Sequence, residues 1–347
     1  MTYRRPLSLL LLLAFTACSH HDNPAPASTT TTTTSPNPSD TITRTTAGSD
    51  SIYWKVACPA NTAGFDDICF TDTLHGIAAG ADSYIYTSAD GGSTWTKTAL
   101  AQRGNPANGL RTLFFLTPSQ GYVIGANNFA VTTDGGQHWT IKGRPDSVVT
   151  NSSKWPACQF LSPATGYLST GLGLYRTDDT GTTWHAVDAD SVNALSFANS
   201  NMGTVFSFPN KVSTTTDGGN TWQSLGALPA SSLNTAYTVL KYSDNLHGWF
   251  MDLFRLSVSA NGGATWQNVF QPGSGDYLTD LKLLSGQSAY LASGRRLYKT
   301  MDGGVTWLRE YTPAIASGTV FINELFFLDD HHGWACGTNG FVLRFSH

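Results

Sequence analysis

Residues 215–222 read TTDGGNTW, and five close copies of this stretch occur elsewhere in the chain. They are SADGGSTW at 88–95, TTDGGQHW at 132–139, TDDTGTTW at 177–184, SANGGATW at 259–266 and TMDGGVTW at 300–307. The six closing tryptophans, Trp95, Trp139, Trp184, Trp222, Trp266 and Trp307, stand 44, 45, 38, 44 and 41 residues apart. Each copy follows an apolar strand, a turn and a second strand, as in LFFLTPSQGYVIGANNFAVTTDGGQHW at 113–139. The eight residues themselves have the chemistry of a turn. Paired glycines permit positive φ, and an aspartate at the third position accepts hydrogen bonds from turn amides.

A period of about 40 residues with strand-forming composition is the signature of propeller blades of four strands each. The composition agrees: charged residues are 13% and aromatics 12% of the chain, and the only glutamates are Glu310 and Glu324. Few strong helix formers and many turn residues predict an all-β fold. The last unit, ELFFLDDHHGWACGTNGFVLRFSH at 324–347, has three strands and no box. SIYWKVAC at 51–58 places Trp54 in box register, 41 residues before Trp95. The expectation is a seven-bladed β-propeller whose N-terminal strand completes the C-terminal blade, which closes the ring and removes two sheet edges.

The first fifty residues have a different character. MTYRRPLSLLLLLAFTAC carries Arg4 and Arg5, then an apolar run, then small residues before Cys18. That run is too short to span a bilayer and has the form of a secretory leader, residues 1–17. FTAC resembles the lipobox of bacterial lipoproteins, which implies lipidation at Cys18 and anchoring to a membrane of the cell envelope. Residues 18–50, rich in Ser, Thr and Pro, read as a disordered tether. The adjacent His20 and His21 within it carry no metal reading. Residues 51–347 remain for the propeller. Loss of the leader takes the formal charge from −4 to −6, which argues against nucleic acid as a partner. Export permits disulfides among Cys58, Cys69, Cys158 and Cys336 without specifying a pairing.

The boxes resemble the Asp-box, or bacterial neuraminidase, repeat. The extended unit is more specifically similar to photosystem II stability/assembly factor-like repeat proteins, with GYVIGANNFAVTTDGGQHW at 121–139 and HGWACGTNGFVLRF at 332–345 carrying the pattern. The resemblance spans residues 51–347 and implies the propeller fold, export towards a membrane and a non-catalytic role in assembling other proteins. That family's arginine-rich patch does not transfer, because the arginines here are scattered.

Enzyme chemistry finds little support. A sialidase needs three arginines, an acid/base aspartate and a glutamate-activated tyrosine, usually with an RIP sequence. The nearest match to RIP is GRPD at 143–146. Asp90, Asp134, Asp179, Asp217, Asn261 and Asp302 are spread around the rim and cannot converge on one substrate, so they read as structural. The carboxylates that could face each other, as in a glycosidase, are Asp66, Asp67, Asp280 and Glu324, near the starts of inner strands. His75, His247 and His332 share one turn position in three different blades and read as turn residues. No metal spacing, phosphate loop or nucleophile elbow is present, and no cofactor is expected. Binding remains, with a protein partner at a membrane surface expected and a carbohydrate-binding or sialidase-like glycosidase propeller as the alternative. The long loops entering the inner strands carry Arg103, Arg111, Arg144, Lys154 and Trp155. SGRRLY at 293–298 adds Arg295 and Arg296 on the same predicted face.

Overall fold

A computed structural model describes residues 54–57, 64–80, 82, 84–100, 110–125, 129–142, 157–170, 173–188, 190, 192–207, 211–226, 228, 238–312 and 321–346. They form seven antiparallel four-stranded sheets. Six blades take four consecutive strands each. Their first strands are Phe65–Phe70, Leu110–Phe115, Cys158–Phe160, Val192–Phe197, Thr238–Tyr242 and Leu278–Leu283. The seventh takes Ile322–Asp329, His332–Gly337 and Val342–Ser346, and its fourth strand is Trp54–Ala57. Trp54 pairs with Phe345 and Ala57 with Val342. The ring therefore closes by joining the two ends of the domain, as the register of Trp54 predicts. First strands of neighbouring blades pack on one another around the hub.

Each box joins the third strand to the fourth. In TTDGGNTW, Gly219 N donates to Thr215 Oγ1 at 2.9 Å and Thr221 N donates to Asp217 Oδ1 at 2.9 Å. Thr221 Oγ1 donates to Asp217 Oδ2 at 2.6 Å. Gly218 and Gly219 have φ of 69° and 82°, the left-handed region where glycine carries no Cβ penalty. In blade three Thr180 holds this conformation at φ 63°, a strained position for a β-branched residue. The tryptophan returns over the turn, and in blade one Trp95 Nε1 donates to Gly92 O at 2.9 Å.

A second device repeats with the box. In six blades an aromatic residue at or near the end of the first strand lies flat over a glycine at or next to the start of the second. A Cβ on Gly121 would lie 2.5 Å from the Phe115 ring, and one on Gly166 would lie 2.6 Å from that of Phe160. The box tryptophan stands edge-on to the same aromatic, with Phe160 and Trp184 at 6.2 Å and 80°. Blade seven builds this constellation from its two chain ends: Trp54 stands at 88° to Phe327, whose ring covers Gly333. Blade six departs at both positions together, with Leu283 and Ala289, and a leucine leaves room for the methyl group.

The residue after that glycine couples neighbouring blades. Tyr122 stacks on Phe160 at 3.6 Å and 7°, and Trp334 stacks on Phe70 at 3.7 Å and 8°. Their polar ends cross as well: Trp334 Nε1 donates to Gly91 O at 3.0 Å, and Tyr122 Oη donates to Pro163 O at 3.1 Å. Rings of this size bury a large apolar area where the blades meet.

Candidate partner-binding face

Within an antiparallel blade, the connections from first to second strand and from third to fourth lie at one end. The boxes therefore share one face of the ring. The opposite face is made by the loops entering the first strands and those joining second to third strands, the customary ligand face of such scaffolds. Of the residues singled out there, Arg103, Arg144, Lys154 and Trp155 lie outside the described residues, as do GRPD, Cys58 and everything before residue 54, Cys18 included.

Arg111 stands on the first strand of blade two and pairs with Asp66 of blade one at 3.1 Å. Arg296 pairs with Asp276 in the loop entering blade six, and Gly294 N donates to Tyr277 O in the same loop. Tyr277 stacks on Phe321 of the next entering loop, with centroids 5.5 Å apart. Arg295 is half-buried beside them. Arg111 and the Arg295–Arg296 pair thus sit on blades two and six, each with its own local partners. They form no single basic patch.

The inner-strand carboxylates have a structural task that the sequence did not disclose. A first strand pairs along one edge only, so main-chain groups on its hub edge need partners from side chains or water. Leu113 N of blade two donates to Asp67 Oδ2 of blade one at 2.8 Å, and Leu325 N of blade seven donates to Asp280 Oδ2 of blade six at 2.9 Å. Gln159 clasps both Phe197 N and Phe197 O, at 2.8 and 2.9 Å, and Tyr242 N donates to Ser196 Oγ at 3.1 Å. Asn323 Nδ2 reaches Phe65 O at 2.8 Å. Carboxylate, amide and hydroxyl do the same work at different blades. In the sequence each of these is a single polar side chain within a first strand, with nothing beside it to name its partner.

Burial drives the Asp67 carboxyl up to about 7, with Asp280 adding to the rise, while the amides of Leu113 and Ile68 and the charge of Lys282 oppose it. Burial likewise pushes the Cys69 thiol up to about 12, which leaves it inert as a nucleophile. The sign for stability follows. The folded carboxyl holds its proton more tightly than the unfolded one at 3.8, so stability falls as pH rises through the interval from about 4 to about 7. The thermal midpoint is expected to drop by a few degrees between pH 5.5 and pH 8. In Asp67→Asn this pH dependence should flatten, and an identical pH slope in the variant would refute the assignment.

The box carboxylates are held low by their own turns. Hydrogen bonds from Thr221 keep Asp217 down to about 2, and those from Thr183 do the same for Asp179. Asn261 takes the aspartate's place without a charge: Thr265 N donates to its Oδ1 and its Nδ2 donates to Thr265 Oγ1, both at 2.8 Å. His75, His247 and His332 each place Nδ1 against an aspartate three residues earlier, at 2.8, 2.7 and 2.9 Å, closing the turn between first and second strands. Among the described residues no group of three His, Cys, Asp or Glu side chains is placed to hold a metal ion, and there is no disulfide.

Residues 47–346 match the family described as Photosynthesis system II assembly factor YCF48. The chain belongs to this family. A curated YCF48 relative, the Photosystem II assembly lipoprotein Ycf48 of Synechococcus sp. (strain CC9902), is 24% identical over 317 residues, covering 87% of this chain and 90% of the relative. The protein of that name from Prochlorococcus marinus (strain MIT 9313) is 27% identical over 255 residues, covering 70% and 73%. Both are lipoproteins by name, in agreement with the leader and FTAC read here as those of an exported lipoprotein of a bacterial envelope. A solved structure titled YCF48 bound to D1 peptide superposes with a TM-score of 0.68 at 21% identity, covering 87% of this chain and 96% of that one. The GH74 enzyme of Niastella koreensis superposes at 0.65 with 14% identity, and the match spans 53% of its length. At such identities both structures speak to the fold alone.

Proposed function

We propose that this YCF48-family chain is a non-catalytic assembly factor, anchored through lipid at Cys18, that holds a segment of another protein on the face opposite the boxes. Its division would be leader 1–17, tether 18–50 and propeller 51–347. One observation carries the non-catalytic reading: the rim aspartates and the hub pair Asp67 and Asp280 are each engaged by main-chain amides, as turn or blade-joining acceptors. The relative solved with a D1 peptide supports a peptide ligand. Arg111, Arg295 and Arg296 are the described candidates for contacting it, with Arg103, Arg144 and Trp155 proposed beside them.

The test is a crosslinking pull-down of the tagged, lipidated protein from its native membrane, beside a Trp155→Ala/Arg144→Ala variant. One dominant protein partner, lost in the variant, is the expected result. Polysaccharide recovered in place of protein would overturn the reading in favour of a carbohydrate-binding propeller.

A further inference from the structure

The six boxes are internal controls for one another. At the second, sixth and ninth positions counted from the leading Ser or Thr, five of them carry small or polar residues. Blade four has Thr216, Asn220 and Gln223, and blade one has Ala89, Ser93 and Thr96. Blade six has Met301, Val305 and Leu308, which are 71%, 77% and 46% exposed. The turn requires none of the three, since its hydrogen bonds run through Thr300, Asp302, Gly304 and Thr306 as in the other copies. Three large apolar residues thus stand where the other boxes have small or polar ones, at positions whose side chains the turn's hydrogen bonds do not use.

The neighbouring blades extend the pattern on the same face. Leu246 of blade five and Leu74 of blade one are exposed in the turns between first and second strands, and Leu328 is exposed near the end of the first strand of blade seven. At the position of Leu74 and Leu246, whose carbonyls receive the box amide, blades two, three and four have Ser119, Ala164 and Asn201, and blade six has Gln287. Exposed apolar residues near this face therefore gather in an arc on blades five, six, seven and one; in blades two, three and four the described turns have none, and Ile141 on the fourth strand of blade two, 41% exposed, stands by itself. Isolated surface leucines are ordinary, but a one-sided set is a contact surface.

The position of Trp54, the first residue of the closing strand, bears on what covers it. A fourth strand starts at the box face, and Trp54 opens the fourth strand of blade seven. The Trp54 ring packs on Tyr290 of blade six at 5.9 Å. The strand Trp54–Ala57 therefore starts at the box face, in the middle of the arc. We propose that the box face of blades five, six, seven and one rests on the lipid surface to which Cys18 is anchored. This rests on the lipoprotein reading. An anchored domain meets its own membrane at high effective concentration, so a small apolar contact suffices to orient it. The opposite face is then turned away from the bilayer.

Met301 is a built-in probe, because its thioether reacts readily with hydroxyl radicals when exposed. Phe254, 54% exposed in a second-to-third strand turn, is the control on the other face. The experiment compares radical oxidation of the full-length lipidated protein on phosphatidylethanolamine/phosphatidylglycerol vesicles with that of Cys18→Ala in solution. Met301 is expected to react severalfold more slowly on vesicles while Phe254 is unchanged. In Val305→Asn/Leu308→Gln, which takes the blade-four residues, Met301 should regain reactivity while the protein still floats with vesicles. Equal Met301 reactivity in vesicle-bound wild type would overturn the contact but leave the anchor standing. Failure of the wild type to float would overturn the lipoprotein reading and this contact with it. Concentration-dependent shielding of Met301 in Cys18→Ala without vesicles would show self-association instead of lipid contact.

Discussion

Removal of residues 51–57 is expected to abolish cooperative folding and yield aggregated protein. The strand Trp54–Ala57 makes four register pairs with Val342–Phe345, and without it that strand becomes an open edge. Trp54, 3% exposed, packs between blades six and seven against Tyr290, Phe327 and Phe345. Truncation of such a side chain costs about 3–5 kcal/mol, a large part of the roughly 5–15 kcal/mol that holds a domain folded. Trp54→Ala should accordingly lower the thermal midpoint by several degrees even with the strand retained. Calorimetry and light scattering on both variants are the measurement. A truncated chain that melts at the wild-type temperature would show that blade seven does not need its borrowed strand.

Gly166→Ala is expected to cost about 1–3 kcal/mol through overpacking. The new methyl group would fall 2.6 Å from the Phe160 ring, which is itself pinned between Tyr122 at 3.6 Å and Trp184 at 6.2 Å. Blade six shows the remedy, since Leu283 faces Ala289 there. In a Phe160→Leu background the added methyl should cost little, although Phe160→Leu alone forfeits the stack with Tyr122. Denaturant melts of the two single variants and the double close the thermodynamic cycle. Strict additivity would contradict the size-matching argument.

The blade count, the box turn and the closing strand were legible because each depends on residues close in sequence or on a fixed period. TTDGGNTW contains its own hydrogen-bond partners, and Trp54 declares its register by spacing alone. The hub was less legible. Asp67 and Asp280 read as candidate catalytic carboxylates because their acceptor role involves amides of the next blade, at Leu113 and Leu325. The same holds for the aromatic after the glycine, whose stacking partner lies one period further on. The arginines of the loop face were legible as residues but not as an arrangement. Arg111 and Arg296 have carboxylate partners that only the folded ring brings near.

Joining the first strand to the last sets an order of events in time. Trp54 emerges early and must wait for Phe345, almost the whole length of the domain later, before the ring can shut. A chain led across a membrane by its N-terminal leader would meet this condition only once its last strand had crossed. Pairing of such remote segments is slow, so such a chain would stay open during passage and lock afterwards. The closing strand is thus a clock as well as a clasp.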